Sequence, residues 1–385
     1  MRWRTAALLV AMVVLASPAS AQIQITTGVI QGTVTDATGA VLPGVTVEVK
    51  NVDTNAVESR ITDANGRFVV LQLPPGKYTA TFRIQGFATL IQEDLIVTVG
   101  QGITLLPQLK VSTLQETLTV SGTPIVETTR SGVASTLDER VVGTLPILGR
   151  KFEDLLTLTP GVAIVQGPDG DEISFAGQRG IFNNISLDGG DYNNGFFGEQ
   201  AGGQRAPIDI TLDAVKEFQV IATGAPAEFG RTAGGVVNVI TKSGTNTLHG
   251  SLFHFQRLEA LTGDLSDGTQ LEGFHREQFG GTAGGPIRSD KAFYFAAVEG
   301  ITGDFERANL SRQVGGTACP ITNPTVPLNE ALINANPDCQ RTALLNFFQT
   351  RLGRDEGQPI DHPISTVAVL GKLDLELSSA QRAAA

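Results

Sequence analysis

The stretch EFGRTAGGVVNVITK, residues 228–242, decides how the rest of the chain is interpreted. In it, the paired glycines Gly234 and Gly235 lead directly into a run rich in β-branched residues, Val236–Thr241. Glycines allow neighbouring backbone to approach closely, and a short apolar run is typical of a buried strand. The stretch therefore predicts a strand inside a packed sheet.

The residues just before this stretch mix helical and extended patterns. Phe152–Leu158 has apolar residues at helical spacing and stops at a Pro-Gly pair, which predicts a short amphipathic helix. Val215 and Phe218 stand three apart within Asp213–Val220, and this spacing predicts a second helix. Between them, Arg179–Gly190 contains two strand-like pieces joined by a glycine turn. This part of the chain is therefore expected to form an α+β domain.

Upstream, from about Gly28 to Val111, short strand patterns alternate with turn signals. The strand patterns cover Val29–Thr35, Val45–Lys50, Arg67–Leu71, Lys77–Ile84, Leu95–Val99 and Ile103–Leu109. Valines alternate with polar residues in the second of these, so one face is expected to be buried and the other solvated. The segment predicts a small antiparallel sandwich of about seven strands.

The C-terminal residues alternate as the wall of a β-barrel in lipid would. Leu373, Leu375 and Leu377 are separated by charged residues, so one face of the strand is apolar and the other is polar. A barrel wall turns its apolar face to lipid and its polar face to the lumen. A soluble two-layer sheet has the same alternation, so both interpretations stay open for this segment alone.

Other wall strands are predicted around Phe253–Phe255 and Phe293–Phe295, where pairs of aromatic residues suit the membrane interface. The intervening stretch 302–364 is rich in Pro, Asn and Gly and predicts a long extracellular loop. Only about four strands of barrel length fit after Thr245, and an open sheet in lipid leaves backbone groups unpaired. We therefore expect the chain to be a fragment that lacks most of a barrel.

The N-terminus has the features of a secretory signal peptide. Arg2 and Arg4 precede the apolar run Ala6–Ala16, and Ala19-Ser20-Ala21 provides small residues for cleavage after Ala21. A membrane anchor is the alternative, but the run is too short to span a bilayer. Later segments lack the roughly 18 continuous apolar residues of a spanning helix, so entry into a membrane would require a barrel.

Charge and cysteine content exclude some functions. The formal net charge is −11, which offers no field for holding nucleic acid. Cys319 and Cys339 are predicted to form a disulfide in an exported protein, with two free buried thiols as the alternative. Their spacing does not fit a zinc site, and no histidine has a glutamate three residues on, so no metal site, cofactor or catalytic residue is predicted.

Two turn motifs in the N-terminal segment resemble those of the carboxypeptidase regulatory-like domain. They are TDANGRF at Thr62–Phe68 and LPPGKY at Leu73–Tyr78. The resemblance implies a transthyretin-like, carbohydrate-binding-like β-sandwich that is an accessory fold without peptidase activity. Sugar binding is not supported by an aromatic platform, because Tyr78 and Phe82 are expected in the core.

The stretch at 228–242 and the preceding Arg-Gly and Asp-Gly elements resemble the plug domain of TonB-dependent outer-membrane receptors. The motif residues are Arg179, Gly180, Asp188, Gly189, Gly230, Gly234 and Gly235. Leu145–Phe152, Leu156–Val162 and Phe279–Ile287 resemble more narrowly the Oar-like subgroup, which carries the same regulatory-like domain in front.

A Thr- and Ser-rich connector lies between the sandwich and this domain. Its residues Glu116, Thr117, Leu118, Thr119 and Val120 resemble a TonB box, the segment by which such receptors are gripped from the periplasm. An alternating, β-prone segment could add to the sheet edge of another protein. The alternatives are a last strand of the sandwich or an inert linker.

The fold is therefore expected to be mainly β: a transthyretin-like sandwich, an α+β plug domain and the start of a transmembrane β-barrel. The expected divisions are a signal peptide at 1–21, the sandwich at 22–111, the linker at 112–123, the plug at 124–244 and the barrel part at 245–385.

The resemblance implies a receptor in the outer membrane, with its N-terminal domain in the periplasm, that uses TonB to pass a bulky extracellular substrate of unknown identity. It implies no enzyme activity. The alternative is a surface or periplasmic module that binds carbohydrate or protein without transport.

Overall fold

The structure is a computed structural model. It describes residues 26–112, 117–121, 133–145, 147, 150, 152–167, 170–193, 210–225, 229–230, 232–263, 274–307, 317–320, 330–357, 360–378 and 381–384. The expected signal peptide lies outside these residues. The described chain divides into two compact units, of which one holds the residues up to Ser251 together with Thr282–Ala297 and those from Ala368 onward. The other unit holds Leu252–Gly281 and Val298–Val367.

The N-terminal strands form a two-layer sandwich. They are β1 (Gly28–Thr33), β2 (Thr35–Asp36), β3 (Thr46–Asn51), β4 (Val57–Ile61), β5 (Arg67–Leu73), β6 (Gly76–Arg83), β7 (Thr89–Val97), β8 (Gly102–Leu105), β9 (Gln108–Leu109) and β10 (Thr117–Ser121). One sheet has the order β5-β1-β8 and the other β10-β7-β6-β3-β4. Val45, Val47 and Val49 are buried between the sheets, as their alternation predicts.

The sandwich differs from the sequence prediction in two ways. Strand β4 was missed, because Val57 and Ile61 at its ends are exposed and its polar middle gives no alternating pattern. The pairing is also not purely antiparallel, since β1 runs parallel to β8 and β2 runs parallel to β9. Alternation along one strand reports which face is buried, not the direction of the neighbouring strand.

The middle of the chain forms a second sheet with short helices. Its elements are β11 (Val133–Leu137), α1 (Glu139–Thr144), α2 (Phe152–Leu156), β12 (Val162–Gly167), β13 (Gly170–Phe175), β14 (Asn184–Leu187), β15 (Gly190–Asp191), β16 (Val215–Thr223) and β17 (Val236–Thr241). Single 3₁₀ turns span Gly180–Phe182 and Leu212–Ala214. The sheet order is β11-β16-β17-β14-β15, with β12 and β13 forming a separate hairpin.

The buried strand predicted after the glycine pair is confirmed, since every residue of β17 is buried. The helix predicted at Asp213–Val220 is wrong, because the chain makes one 3₁₀ turn there and then enters β16. Val215 and Phe218 suggested one face of a helix, but β16 is an inner strand with both faces covered. Such a strand can place apolar residues at any spacing, including three.

The C-terminal part forms a five-stranded sheet in the order of the chain. Its strands are β18 (His249–Leu258), β19 (His275–Arg288), β20 (Ala292–Arg307), β21 (Ile360–Ser378) and β22 (Gln381–Ala384). The predicted loop between β20 and β21 is partly helical, with α3 (Glu330–Ala335), α4 (Pro337–Phe347) and a π-helical turn (Phe348–Leu352). A 3₁₀ turn at Glu259–Leu261 follows β18.

The wall strand β21 has the predicted alternation. Leu373, Leu375 and Leu377 are exposed, whereas the neighbouring Lys372 side chain is only 14% exposed. The strand predicted around Phe293–Phe295 is confirmed. The prediction that these aromatic residues lie at the membrane interface is wrong. Both phenylalanines are 1% exposed, and Phe295 belongs to a buried cluster with Ala214 and Ala297.

Candidate coupling site

The predicted TonB-box-like segment, which we call the coupling segment (Glu116–Val120), lies along the edge of the sandwich. Glu116 is outside the described residues, and the rest belongs to β10. Strand β10 runs parallel to β7, with Thr117 opposite Thr89 and Leu118 opposite Leu90. In the described chain, β10 is the last strand of its sheet, so its outer edge carries no further strand.

The sandwich is hydrogen-bonded to the plug strand β16. The backbone N–H of Val99, two residues after β7, donates to Glu217 Oε1 at 2.5 Å. Lys216 Nζ donates to the carbonyl oxygen of Pro75 at 2.6 Å. Gly100 also packs closely on β16, since a Cβ atom there would lie 2.6 Å from Gln219 Nε2. Two adjacent charged residues of the plug are therefore used to seat the sandwich.

Burial sets the protonation of these two residues. It raises the pKa of Glu217 to about 7, against the lowering effects of the Val99 hydrogen bond and the Lys216 charge. Burial also lowers the pKa of Lys216, and the adjacent Glu217 carboxylate opposes that shift. A charged group removed from water favours its neutral form unless nearby opposite charge compensates. The junction thus contains a carboxyl group that titrates near neutral pH.

The predicted motif residue Asp188 joins the plug to the wall. It accepts hydrogen bonds from the Thr241 backbone N–H at 2.9 Å and from the Thr241 hydroxyl. Lys372 Nζ on β21 lies 3.3 Å from Asp188 Oδ2 and 3.2 Å from Thr241 Oγ1. Asp188 has φ of 48°, a left-handed conformation that Asp tolerates better than most residues. It therefore ties the β14–β15 turn to the end of β17 and to the wall.

The sandwich also contacts the turn between β19 and β20. Asp290 Oδ1 in this turn accepts from Asn55 Nδ2 at 2.9 Å and from Asn246 Nδ2 at 2.8 Å. These two hydrogen bonds lower the pKa of Asp290. The backbone N–H of Asn246 donates to the Asp53 carbonyl at 3.0 Å. One sandwich loop thus touches both the β19–β20 turn and the residues that lead into the wall.

The glycines of the plug motif serve close packing and a turn. A Cβ on Gly235 would lie 2.2 Å from the Phe175 ring, and a Cβ on Gly234 would lie 2.4 Å from Asn183 Oδ1. Real Cβ atoms do not approach so closely, so a larger residue at either position just before β17 would force its neighbours to shift. Gly189 has φ of 82° and completes the turn after Asp188.

The remaining predicted residues lie elsewhere in the plug and in the second unit. Arg179 is exposed and starts the 3₁₀ turn that contains buried Gly180, while Gly230 has open space around it. Cys319 and Cys339 are joined by a disulfide in the second unit. Buried Asp338 beside them accepts from the Cys319 backbone N–H at 2.7 Å.

Within the described residues, no cluster of three or more His, Cys, Asp or Glu side chains could hold a metal ion. None of the helices described is long and apolar enough to cross a membrane.

The partners Lys216, Glu217 and Lys372 were missed by sequence reasoning as site residues. Lys372 was recognised only as a polar residue of an alternating strand, and its partner Asp188 lies 184 positions away. Glu217 lies in the stretch Asp213–Val220, for which the sequence predicts a helix and the structure has a strand. A charged pair inside a strongly apolar run was the available signal for both Lys216 and Glu217.

Comparison with known proteins shows two matched domains and a similar relative. Residues 29–110 match the carboxypeptidase regulatory-like domain, and residues 240–317 match an outer membrane beta barrel domain. The chain is 31% identical over 273 residues to the TonB-dependent transporter Oar of Myxococcus xanthus, covering 66% of this chain and 24% of that protein. The chain is therefore similar to a TonB-dependent transporter and to outer membrane beta barrel domains. The predicted resemblance to the Oar-like group and the mainly β fold are thereby confirmed.

Parts of the chain are also similar to solved structures. The siderophore receptor PirA from Acinetobacter baumannii is 19% identical with a TM-score of 0.39, covering 64% of this chain and 29% of that one. The outer membrane transporter YddB from Escherichia coli is 14% identical with a TM-score of 0.41, covering 64% and 31%.

The chain spans about a quarter of the curated relative that it matches, 24% of that length. Its location is the outer membrane. Its matched relative is named as a transporter.

Proposed function

We propose that this chain carries the coupling segment, plug and first wall strands of a receptor that passes a bulky substrate across the outer membrane. TonB binds the segment Glu116–Val120 from the periplasm, and a pull on it remodels the plug at 124–244. The barrel part begins near Thr245, and the signal peptide at 1–21 directs export. The chain catalyses no reaction, and the energy comes from the TonB system.

The observation that supports this proposal is an unbroken series of contacts inside one compact unit. The coupling segment lies on β7, and the chain leaving β7 is bonded to the plug through Val99 and Glu217. The plug in turn is bonded to the wall through Asp188 and Lys372. A receptor driven from the periplasm requires such a series, whereas a binding module without transport does not.

The sandwich itself offers little for a carbohydrate. Tyr78 and Phe82 are 1% and 0% exposed, so neither ring can stack on a sugar. The Tyr78 hydroxyl is already bonded to the Pro74 carbonyl oxygen at 2.8 Å. We therefore favour a role in coupling for the sandwich over a role in sugar binding.

A binding measurement with the periplasmic domain of TonB tests the proposal. The full chain in detergent is immobilised, and the Leu118→Pro variant is compared with Leu118→Val, which introduces an apolar residue that is common in strands. Proline removes a backbone donor and disturbs strand pairing, so the affinity of the Leu118→Pro variant for TonB should fall by at least about tenfold. The Leu118→Val variant should bind TonB with nearly unchanged affinity. Absence of binding by the unmodified chain would refute the proposal.

A further inference from the structure

We infer that two copies of this chain associate through strand β4, which forms the edge of the sandwich sheet opposite to β10. The two β4 strands run antiparallel and pair about a two-fold axis at Ser59. The inference goes beyond the proposed function, because it concerns a second copy of the chain and not TonB. It assigns to the accessory domain a surface for self-association.

The backbone of β4 presents an open edge. In the described chain, β4 is the last strand of its sheet and is bonded on one side to β3. At one end, the Ala56 carbonyl oxygen accepts from the Asn51 backbone N–H at 2.8 Å. At the other end, the Thr62 backbone N–H donates to the Val45 carbonyl oxygen at 3.0 Å. Backbone groups alternate in direction along a strand, so those of residues 57, 59 and 61 point to the open edge, where an added strand can use them.

The sequence of β4 is complementary to its own reverse. Its residues Val57, Glu58, Ser59, Arg60 and Ile61 are in turn apolar, acidic, small, basic and apolar. An antiparallel copy centred on Ser59 therefore places Glu58 opposite the partner's Arg60, and Val57 opposite the partner's Ile61. The backbone groups of Glu58 and Arg60 point to β3, so these two residues form the non-hydrogen-bonded pairs, in which opposite side chains come closest. The backbone register and the charges thus specify the same pairing.

The two charges on β4 favour a copy of this strand over an unrelated strand. Charged residues on an edge strand commonly prevent pairing, because an unrelated strand offers them no partner. Within one chain, Arg60 Nη1 lies 3.4 Å from Glu58 Oε2 and donates to the Ser59 carbonyl oxygen at 2.8 Å. A second copy replaces both contacts, since the partner's Arg60 meets Glu58 and the backbone N–H of the partner's Ser59 meets the Ser59 carbonyl oxygen.

The ends of β4 add apolar contact to this pairing. Val57 is 41% exposed and Ile61 is 69% exposed, although both are apolar residues of a strand. Pairing places each of them beside an apolar residue of the second copy. Five residues from each copy cover less surface than a standard protein interface does, so the association is weak and is best trapped by a covalent bond.

Single cysteines test the predicted register in the full chain. The two cysteines of the sequence form the Cys319–Cys339 disulfide, so an introduced cysteine supplies the only free thiol. In the register centred on Ser59, the Ser59→Cys positions of two copies face each other with Cα atoms about 5.5 Å apart, which suits a disulfide. Val57→Cys is the matched control, because its positions in two copies lie four residues out of register, about 14 Å apart.

Oxidation of the chain in detergent, followed by non-reducing gel electrophoresis, measures the covalent dimer. We expect at least about tenfold more dimer from Ser59→Cys than from Val57→Cys. A mixture of Val57→Cys and Ile61→Cys chains should give dimer within about threefold of the Ser59→Cys level, because these positions face each other between copies. Equal dimer from Ser59→Cys and Val57→Cys, absence of dimer from Ser59→Cys, or failure of the mixture to link would each overturn the inference.

An exchange of the two charges separates pairing from a loss of folding. In the Ser59→Cys chain, Arg60→Glu places like charges opposite each other, so the dimer should fall by about tenfold. Adding Glu58→Arg restores opposite charges in exchanged positions, and the dimer should return to within about threefold of the starting level. Thermal unfolding verifies that each variant is folded. If both folded variants give the same amount of dimer, the charges do not select the partner strand and the inference is overturned.

Discussion

The buried carboxyl of Glu217 makes the sandwich–plug junction sensitive to pH. Its pKa is raised to about 7 from an ordinary value of 4.5, so the closed junction holds the proton more tightly than an open, hydrated one. The carboxyl group therefore stabilises the closed junction most when the pH is below its ordinary pKa of 4.5, and this contribution is lost as the pH rises to the raised pKa of about 7. Above that pH the loss is complete.

The size of the effect follows from the two pKa values. Between about pH 5 and pH 8 the opening constant should rise on the order of 70-fold, equal to about 2.5 kcal/mol, if the carboxyl regains its ordinary pKa on opening. The side chain is only 4% exposed, so screening by solvent does not reduce this figure much. Lys216 and Asp138 are the charged groups that influence the carboxyl.

Hydrogen exchange of the Val99 amide measures this opening directly, because that N–H donates to the carboxylate. In the unmodified chain, protection of the Val99 amide, corrected for the intrinsic exchange rate at each pH, should fall between about pH 5 and pH 8. The Glu217→Gln variant keeps an oxygen acceptor and Lys216 but does not titrate, so its protection should be nearly constant. An equal slope in both proteins, or none in the unmodified chain, would refute the reasoning.

Two further changes test the plug. Replacing Asp188 by Asn keeps a side-chain acceptor for Thr241, and Asn tolerates the left-handed backbone. A double-mutant cycle of this change with Lys372→Met should give a coupling energy of at most about 1 kcal/mol in thermal unfolding. A much larger coupling energy would mean that the ion pair is better shielded from water than its exposure indicates. Gly235→Ala should destabilise the plug by about 1–3 kcal/mol, seen as faster limited proteolysis, because its Cβ meets an aromatic ring. The Gly230→Ala control has open space and should behave like the unmodified chain.

Strand patterns predicted the sandwich well because its strands bury one face each. In and just before β3, the valines at 45, 47 and 49 alternate with polar residues, and all three are buried. Strand β4 escaped notice since its exposed Val57 and Ile61 lie at its ends, with only polar residues between them. The direction of strand pairing could not be predicted for a different reason, because it depends on how the strands are connected and not on the residues of a single strand.

The plug was harder to predict because its central strands are covered on both faces. The continuous run in β17 gave the correct answer, since nothing in it resembled a helix. Burial of both faces also explains why the helix prediction for β16 was wrong, because a fully covered strand can carry apolar residues three apart. Periodicity distinguishes the two structures only when one face remains in water.

The partners within the candidate site could not be predicted for a physical reason. Asp188 belongs to a recognisable motif, but Lys372 is specified only by the sheet that brings β21 beside the plug. Glu217 meets a backbone N–H, which every residue except proline possesses, so no sequence pattern marks Val99 as its donor. Sequence patterns thus identified the elements, whereas the contacts between elements required the structure.

The strengths of these contacts suggest where a pull on the coupling segment takes effect. Strand β16 pairs with β17 along a buried ladder in which Phe218 faces Val239. The wall contact at Asp188 and Lys372 is a partly exposed ion pair, with side chains 33% and 14% exposed. Exposed pairs contribute at most about 1 kcal/mol, whereas a ladder has many bonds that must break together. We therefore expect force to separate the plug from the wall at Lys372 before the plug sheet itself unravels, and Asp188→Asn should lower the force at which that separation begins.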